Sequence, residues 1–146
     1  MVYNPILCAA VLGWAAAQFI KFILHFVQNA SFRLERLYGS GGMPSSHSSL
    51  VCAAFISTGR AEGWDSPIVA VMFVVAAIVM YDAANVRLEA GKHAKQLNEI
   101  MMRLLAQDGN TDTKIKEFKE LLGHTPFQVV CGAVLGIVIG ALIPLR

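Results

Sequence analysis

The sequence predicts an all-α protein, a polytopic membrane helical bundle that forms a single domain over residues 1–146. Its composition is 55% hydrophobic and only 15% charged, which is more apolar than an ordinary soluble domain. The apolar residues are concentrated in blocks of helix length, as expected for membrane spans rather than for a large core. The formal net charge is only +2, so we expect the bilayer as a partner and no nucleic acid.

Four apolar blocks account for four predicted spans, at residues 5–27, 44–58, 66–84 and 125–145. The first would give about 35 Å of helix at ~1.5 Å per residue, enough to cross a bilayer. The second would give only about 23 Å, so it requires a thinned bilayer or a re-entrant segment. The third begins with Ser66 and Pro67, a helix cap followed by proline at the first helical position.

The polar segment 85–124 separates the third and fourth blocks and predicts a cytoplasmic amphipathic helical linker. Its apolar residues recur at helical spacing, and charged residues fill the other faces. The apolar set is Ala90, Ala94, Leu97, Met101 and Leu104. Such a helix is expected to lie at the membrane interface or against the bundle.

Threading the four spans up and down the membrane brings most of the unusual polar residues to one face. These residues are Lys21, His25, Arg33, Arg36, His47, Asp82, Arg87 and His124. Of the 12 lysines and arginines, only Arg60 and Arg146 fall on the other face. The positive-inside rule then makes the rich face cytoplasmic and places both termini on the opposite side. A re-entrant second span would break this inference.

Two short segments on this face each place a histidine at the mouth of an apolar helix. They are Gly41-Gly42-Met43-Pro44-Ser45-Ser46-His47-Ser48 and Gly123-His124-Thr125-Pro126. Free N–H groups and the helix dipole favour an anion at a helix N-terminus, and histidine exchanges protons near neutral pH. With the nearby cations, this set suits a phosphate ester: one histidine attacks phosphorus and the other protonates the leaving oxygen.

A metal site is the competing interpretation of two histidines, with Asp82 as a carboxylate ligand. No HxxxH or HxxE spacing supports that interpretation. The sequence therefore predicts chemistry without a metal and without a cofactor.

Three segments, GGMPSSHSSLV, YDAANVR and LGHTPFQVVCGAVLG, resemble a divergent branch of the type-2 phosphatidic acid phosphatase superfamily. That superfamily is related to acid phosphatases and vanadium-dependent haloperoxidases, and the resemblance covers nearly the whole chain. It implies a helical bundle with three catalytic motifs. The second motif, Pro-Ser-Gly-His, matches Pro44 to His47 and implies that His47 protonates the leaving group. The third implies that His124 is the nucleophile, with Gln128 in the catalytic position where an aspartate orients the histidine.

The chain departs from the family pattern at several positions. Ser46 replaces the motif glycine, and an amide at Gln128 can hold an imidazole but cannot stabilise imidazolium as a carboxylate does. The first motif, a lysine six residues ahead of Arg-Pro, is not intact, and Phe118 stands where the third motif has arginine. Arg87 could take over phosphate binding. The predicted phosphate-binding set is Lys21, Arg33, Ser45, Ser46, Asp82 and Arg87.

Some of these residues have simpler interpretations. Lys21 could extend to the membrane surface, Arg33 could act as a topology signal, and Asp82 with Arg87 could form an interfacial ion pair. Small-residue ridges on the first and fourth spans also suggest a homo-oligomer. They consist of Ala9, Gly13 and Ala17, and of Gly132, Gly136 and Gly140.

The sequence as a whole predicts an integral membrane phosphatase. Its expected substrate is a phosphomonoester or diphosphate, on a phospholipid or an isoprenoid, and the reaction would pass through a phosphohistidine. The alternative is a weak or inactive protein that binds lipid phosphate or another anion, or that is associated with transport. Gln128 is the feature that favours this alternative.

Overall fold

The computed structural model describes residues 4–29, 42–108 and 123–145. Within these ranges every regular element is an α-helix, so the predicted all-α helical bundle is confirmed. The helices are α1 (Pro5–Asn29), α2 (Ser46–Glu62), α3 (Pro67–Ala84), α4 (Val86–Asp108) and α5 (Pro126–Leu142).

Helix α2 is the centre of the bundle, in contact with α1, α3 and α5. Most of its buried side chains are small, and several are polar. They are Ser46, Ser48, Ser49, Val51, Cys52, Ala53, Ala54, Ser57, Thr58 and Gly59. Small side chains let neighbouring backbones approach closely, which is how helices pack without bulky core residues.

Glycines on both neighbouring helices make this approach possible. Three glycines of α5 each lie against a backbone carbonyl of α2, in the pairs Gly132–Ser45, Gly136–Ser49 and Gly140–Ala53. We call these three pairs the glycine ladder. On the other side of α2, Gly13 of α1 faces the same Ser49, whose Oγ donates to the Gly13 carbonyl at 2.8 Å. A Cβ at any of these glycines would collide with backbone atoms of α2.

The two small-residue ridges are therefore both occupied inside one chain. Ala9 and Ala17 of α1 are fully buried, and Ala9 packs with Ala53 of α2. A homo-oligomer remains a prediction, but these ridges no longer support it.

The contacts fix the directions of the helices. Helices α1 and α2 are antiparallel, through the pairs Lys21–Ser46, Gly13–Ser49 and Ala9–Ala53. Helices α2 and α3 are antiparallel too, through Cys52–Met80 and Phe55–Phe73. The glycine ladder makes α2 and α5 parallel. The starts of α2 and α5 and the end of α3 thus meet at one end of the bundle.

We call this the histidine end, defined by residues 42–47, 82–87 and 123–128. The opposite end, called the arginine end, is where Arg60 donates to the carbonyls of Gly140 and Ile143 at 2.9 and 2.8 Å. The up-and-down threading expected from the sequence therefore agrees with the packing of the described helices.

Two helix ends differ from the ends of the predicted apolar blocks. The second block was expected to end at residue 58, but α2 continues to Glu62 and ends only at Gly63, whose φ is 86°. The last helix ends at Leu142 rather than at residue 145, because Pro144 has no N–H with which to continue it. The predicted linker begins as helix at once, with only Asn85 between α3 and α4.

Large apolar side chains cover the outside of α1, α3 and α5. Among the most exposed are Leu7, Phe19, Val27, Val71, Phe73, Ile78, Val130, Val134 and Val138. The stretches Pro5–Val27 and Pro67–Leu104 are long and apolar enough to cross a membrane, and only 22% and 17% of their most apolar windows are buried. A soluble protein rarely exposes such a surface, whereas lipid is a suitable environment for it.

Candidate functional site

The loop that leads into α2 is fixed by Ser45. Its Oγ caps the helix by accepting from the backbone N–H of Ser48 at 3.3 Å and from the Ser48 hydroxyl at 3.0 Å. Its own N–H donates to the carbonyl of Gln128 at 3.0 Å, joining this loop to the first turn of α5. Ser45 is fully buried. The structure thus places it beneath the site, as a support for the residues that follow.

Lys21 lies inside the bundle, with only 9% of its surface exposed. Its Nζ donates to the Oγ of Ser46 at 3.2 Å, across the α1–α2 contact. This geometry favours a role in the site over an extension to the membrane surface. The replacement of the motif glycine by Ser46 supplies the acceptor that holds the lysine.

His47, the second residue of α2, is exposed. The charges of Lys21, Arg87 and Asp82 all act on its imidazole. The structure therefore brings together a histidine and charged groups contributed by α1, the end of α3 and the start of α4.

His124 is buried beside them, with 3% of its surface exposed. The backbone N–H of His124 donates to the backbone carbonyl of Ala83 at 3.0 Å. The preceding residue, Gly123, has φ of 92° and packs directly on the backbone of Arg87 and Leu88, where a Cβ would collide. The segment that carries His124 is thus docked on the junction between α3 and α4, and this contact also sets the position of Arg87.

Gln128 links His124 to the start of α5. Thr125 and Gln128 form a capping box, in which Gln128 N–H donates to Thr125 Oγ1 at 3.4 Å and Thr125 N–H donates to Gln128 Oε1 at 3.2 Å. The same Oε1 lies 3.2 Å from Nδ1 of His124. The residue expected to orient the imidazole does contact it, and does so from within a helix cap.

The pKa of His124 is lowered from its usual value, chiefly because burial disfavours the charged imidazolium. The positive charges of Lys21 and His47 act in the same direction, while hydrogen bonds with Gln128 and the backbone of Gly42 oppose it. The imidazole is therefore held neutral at neutral pH, the form in which a ring nitrogen keeps a lone pair.

Asp82 and Arg87 form an ion pair, with Oδ2 and Nε 2.6 Å apart and both side chains partly exposed. This is the simpler interpretation that the sequence left open, and it places Asp82 against Arg87. An exposed pair contributes only about 0–1 kcal/mol, so a phosphate could draw the guanidinium away at little cost. Arg33, the other predicted cation, lies outside the described residues.

Sequence reasoning missed three parts of this site: the packing of Gly123 on Arg87, the Ala83 carbonyl and the role of the Thr125 N–H. The first two depend on tertiary contacts that leave no local signal. The third had a signal, because threonine followed three residues later by glutamine is the pattern of a capping box. In the described part of the chain, no three His, Cys, Asp or Glu side chains cluster as metal ligands would.

Comparison with known proteins agrees with this picture. A family model described as "Divergent PAP2 family" matches residues 2–139. A protein of Bacillus subtilis (strain 168), named "Uncharacterized membrane protein YuiD", is 36% identical over 131 residues, which cover 84% of this chain and 83% of the relative. No solved structure matches the chain significantly. Together with its apolar outer surface, these matches show that this chain is a membrane protein and belongs to the divergent PAP2 family.

Proposed function

We propose that this chain is a membrane phosphatase that hydrolyses a phosphomonoester or diphosphate of a lipid through a phosphohistidine on His124. The observation that carries the proposal is the meeting of His47, His124, Lys21 and Arg87 at the histidine end. Each comes from a different part of the chain. The charges of Lys21 and Arg87 act on His47, and those of Lys21 and His47 act on His124. Two cations placed beside two histidines favour the binding of an anion such as a phosphate ester.

In the proposed reaction, a ring nitrogen of neutral His124 attacks phosphorus while the bond from phosphorus to the ester oxygen breaks. The departing oxygen takes a proton from the His47 imidazolium, so the leaving group departs as an alcohol or, from a diphosphate, as a protonated phosphate. Water then attacks the phosphohistidine and gives a proton to the now neutral His47. The nitrogen–phosphorus bond breaks, and inorganic phosphate is released.

The cations would hold the phosphate during both steps. Lys21 is kept at the site by Ser46, and Arg87 by Gly123 and Asp82. Positive groups placed before the reaction stabilise the charge that develops on the equatorial oxygens. Arg33 is proposed as a further ligand from the sequence alone.

The rival function is a protein that binds lipid phosphate or another anion without turning it over. Gln128 favours this rival, because an amide cannot stabilise an imidazolium as the expected carboxylate would. Both functions predict binding of phosphate at the histidine end, so only turnover separates them.

The decisive experiment is an assay of the purified protein against a panel of phospholipid and isoprenoid phosphates. His124→Ala should abolish phosphate release, and His47→Ala should slow it by about 10²–10⁴-fold, the usual contribution of a general acid. The matched control is His93→Ala, since His93 is exposed on α4. Trapping of a ³²P-labelled intermediate in the wild type but not in His124→Ala would support the phosphohistidine. Absence of turnover with every substrate, together with specific binding, would favour the rival.

We further propose that α1, α2, α3 and α5 all span the membrane, with the histidine end cytoplasmic and both termini opposite. The ten lysines and arginines other than Arg60 and Arg146 support this orientation. Single cysteines at Lys92 and at Glu62, in a chain lacking its three native cysteines, should react from opposite sides of the membrane. Labelling of both from the same side would overturn the four-span topology.

A further inference from the structure

A neutral imidazole carries one proton, on either Nδ1 or Nε2, and only the other nitrogen has a lone pair with which to attack. The group that accepts a hydrogen bond from the ring therefore decides which nitrogen is the nucleophile. At His124 two groups make hydrogen bonds with the ring, the backbone of Gly42 and Gln128, whose Oε1 lies 3.2 Å from Nδ1. An amide is ambiguous as a partner, because it can present either an accepting oxygen or a donating NH₂ group.

The capping box removes this ambiguity. The backbone N–H of Thr125 faces the same end of the Gln128 amide, at 3.2 Å, and a backbone N–H can only donate. The oxygen must therefore occupy that position, since an NH₂ group there would leave two donors facing each other. With the oxygen fixed, Nδ1 of His124 faces an acceptor, and this contact favours the tautomer with the proton on Nδ1.

We propose that the Thr125–Gln128 capping box sets the tautomer of His124, holding the proton on Nδ1 and leaving the lone pair on Nε2. Gln128 and Thr125 are then positioning residues, which act on substrate only through His124. The catalytic consequence rests on the phosphatase function proposed above, whereas the tautomer itself does not. A carboxylate orients an imidazole by its charge, but an amide needs an external donor, and here the first turn of α5 supplies it.

Burial and the neighbouring groups together set the pH range in which His124 can react. The charged or titratable groups that act on it are Lys21 from α1 and His47 from α2; Asp82 and Arg87 lie beyond, beside His47. The backbone of Gly42 and the amide of Gln128 complete its surroundings. Among the described residues, no group that makes a hydrogen bond with the ring is anionic, so a carboxylate introduced at residue 128 would add a negative charge there.

The first test is the tautomer itself, read by ¹⁵N NMR of protein labelled at histidine, with His124 assigned from a His124→Asn spectrum. The wild type should carry its proton on Nδ1. Gln128→Leu should lose this preference, and Thr125→Val should weaken it, while Thr125→Ser, which keeps the cap, should not. The backbone of Gly42 is the competing partner of the ring. A proton on Nε2 in the wild type, or an unchanged tautomer in Gln128→Leu with the same melting temperature, would overturn the proposal.

The second test is the pH profile of kcat/KM in Gln128→Glu, which keeps the capping pattern but adds a negative charge. The charge should favour the imidazolium and move the acidic limb upward by about one pH unit or more. An unmoved limb would mean that residue 128 does not act through His124. The two proposals can fail separately. If the wild type has no turnover but carries the proton on Nδ1, the phosphatase function is wrong and the tautomer proposal stands. If the wild type turns over substrate with the proton on Nε2, only the tautomer proposal is wrong.

Discussion

The two ends of the bundle meet the same structural need in different ways. Every helix end leaves backbone groups without helical partners. At the arginine end, Arg60 binds the last carbonyls of α5 and has no further task that the contacts indicate. At the histidine end, Thr125 and Gln128 cap the start of the same helix and also contact His124. One end thus only closes the fold, whereas at the other end the groups that cap the helix also hold the side chain of His124.

The largest effect is expected where the two ends are joined, at the glycine ladder. Gly136→Leu would force a side chain into the Ser49 backbone, and overpacking of this kind costs roughly 1–3 kcal/mol or more. The variant should lose most of its thermal stability in detergent and disturb both ends together. Ala141→Leu, on the exposed side of the same helix, is the matched control and should melt like the wild type. A stable, active Gly136→Leu protein would show that the ladder does not connect the ends.

Two glycines with positive φ, one at each end, allow a direct comparison of the two ends. Gly123 at the histidine end and Gly63 at the arginine end have φ of 92° and 86°. Changing either to alanine should cost about 1–2 kcal/mol in backbone strain. Only at Gly123 does the new Cβ also collide with backbone, that of Arg87 and Leu88. Gly123→Ala should therefore lose activity in the lipid phosphate assay, and Gly63→Ala should keep it.

The expected difference between the ends would be contradicted if Gly123→Ala and Gly63→Ala lost the same activity for each degree by which the melting temperature falls. Such a result would indicate that the histidine end responds only to global stability.

Removal of the arginine cap should affect stability without affecting chemistry. Arg60→Ala leaves the carbonyls of Gly140 and Ile143 without their donor, and hydrogen bonds to charged groups contribute roughly 1.5–3 kcal/mol. Water at the helix end will replace part of this loss, so we expect about 1 kcal/mol, read as a lower melting temperature. The pH profile and KM should stay at wild-type values, and a change in either would mean that the arginine end communicates with the site.

The smallest effect is on the pH dependence of stability. The folded-state pKa of His124 is lowered, mainly by burial, so the unfolded chain binds this proton more readily. Its contribution is fully present above the unfolded pKa of about 6.5 and is lost as the pH falls from there toward the lower folded value. The wild type should thus destabilise more than His124→Gln on acidification from pH 7, measured by thermal melts in parallel. Equal pH dependence in both proteins would contradict the buried neutral histidine.

Much of the fold could be predicted from the sequence because it depends on local signals. Apolar blocks predicted four of the helices, Pro67 and Pro126 marked helix starts, and the segments around His47 and His124 pointed to one shared end. Small residues at a spacing of four predicted close packing, but they could not say whether the partner was inside or outside the chain. That choice depends on which helix is central, and α2 becomes central only when three apolar helices surround it.

The site was predictable in part. His47, His124 and Gln128 lie at the expected end because each belongs to a sequence motif at a helix start. Lys21 lies there too, inside α1, and is joined to Ser46. Their connections were not predictable. The backbone contact of Gly123 with Arg87 is tertiary, and no periodicity or spacing reports it.

The glycine ladder fixes the axial register of α5 against α2. Its three rungs share one offset, since each glycine is 87 positions after its partner (132 minus 45, 136 minus 49, 140 minus 53). Because the rungs are four residues apart, α5 can re-engage α2 only after sliding by about 6 Å, a full set of four residues at ~1.5 Å each. Smaller slips would drive Cα carbons into carbonyl oxygens. The starts of α2 and α5 are thus fixed relative to each other along the helix axes, and any movement of His47 relative to His124 must come from their side chains and from the backbone next to the helix starts.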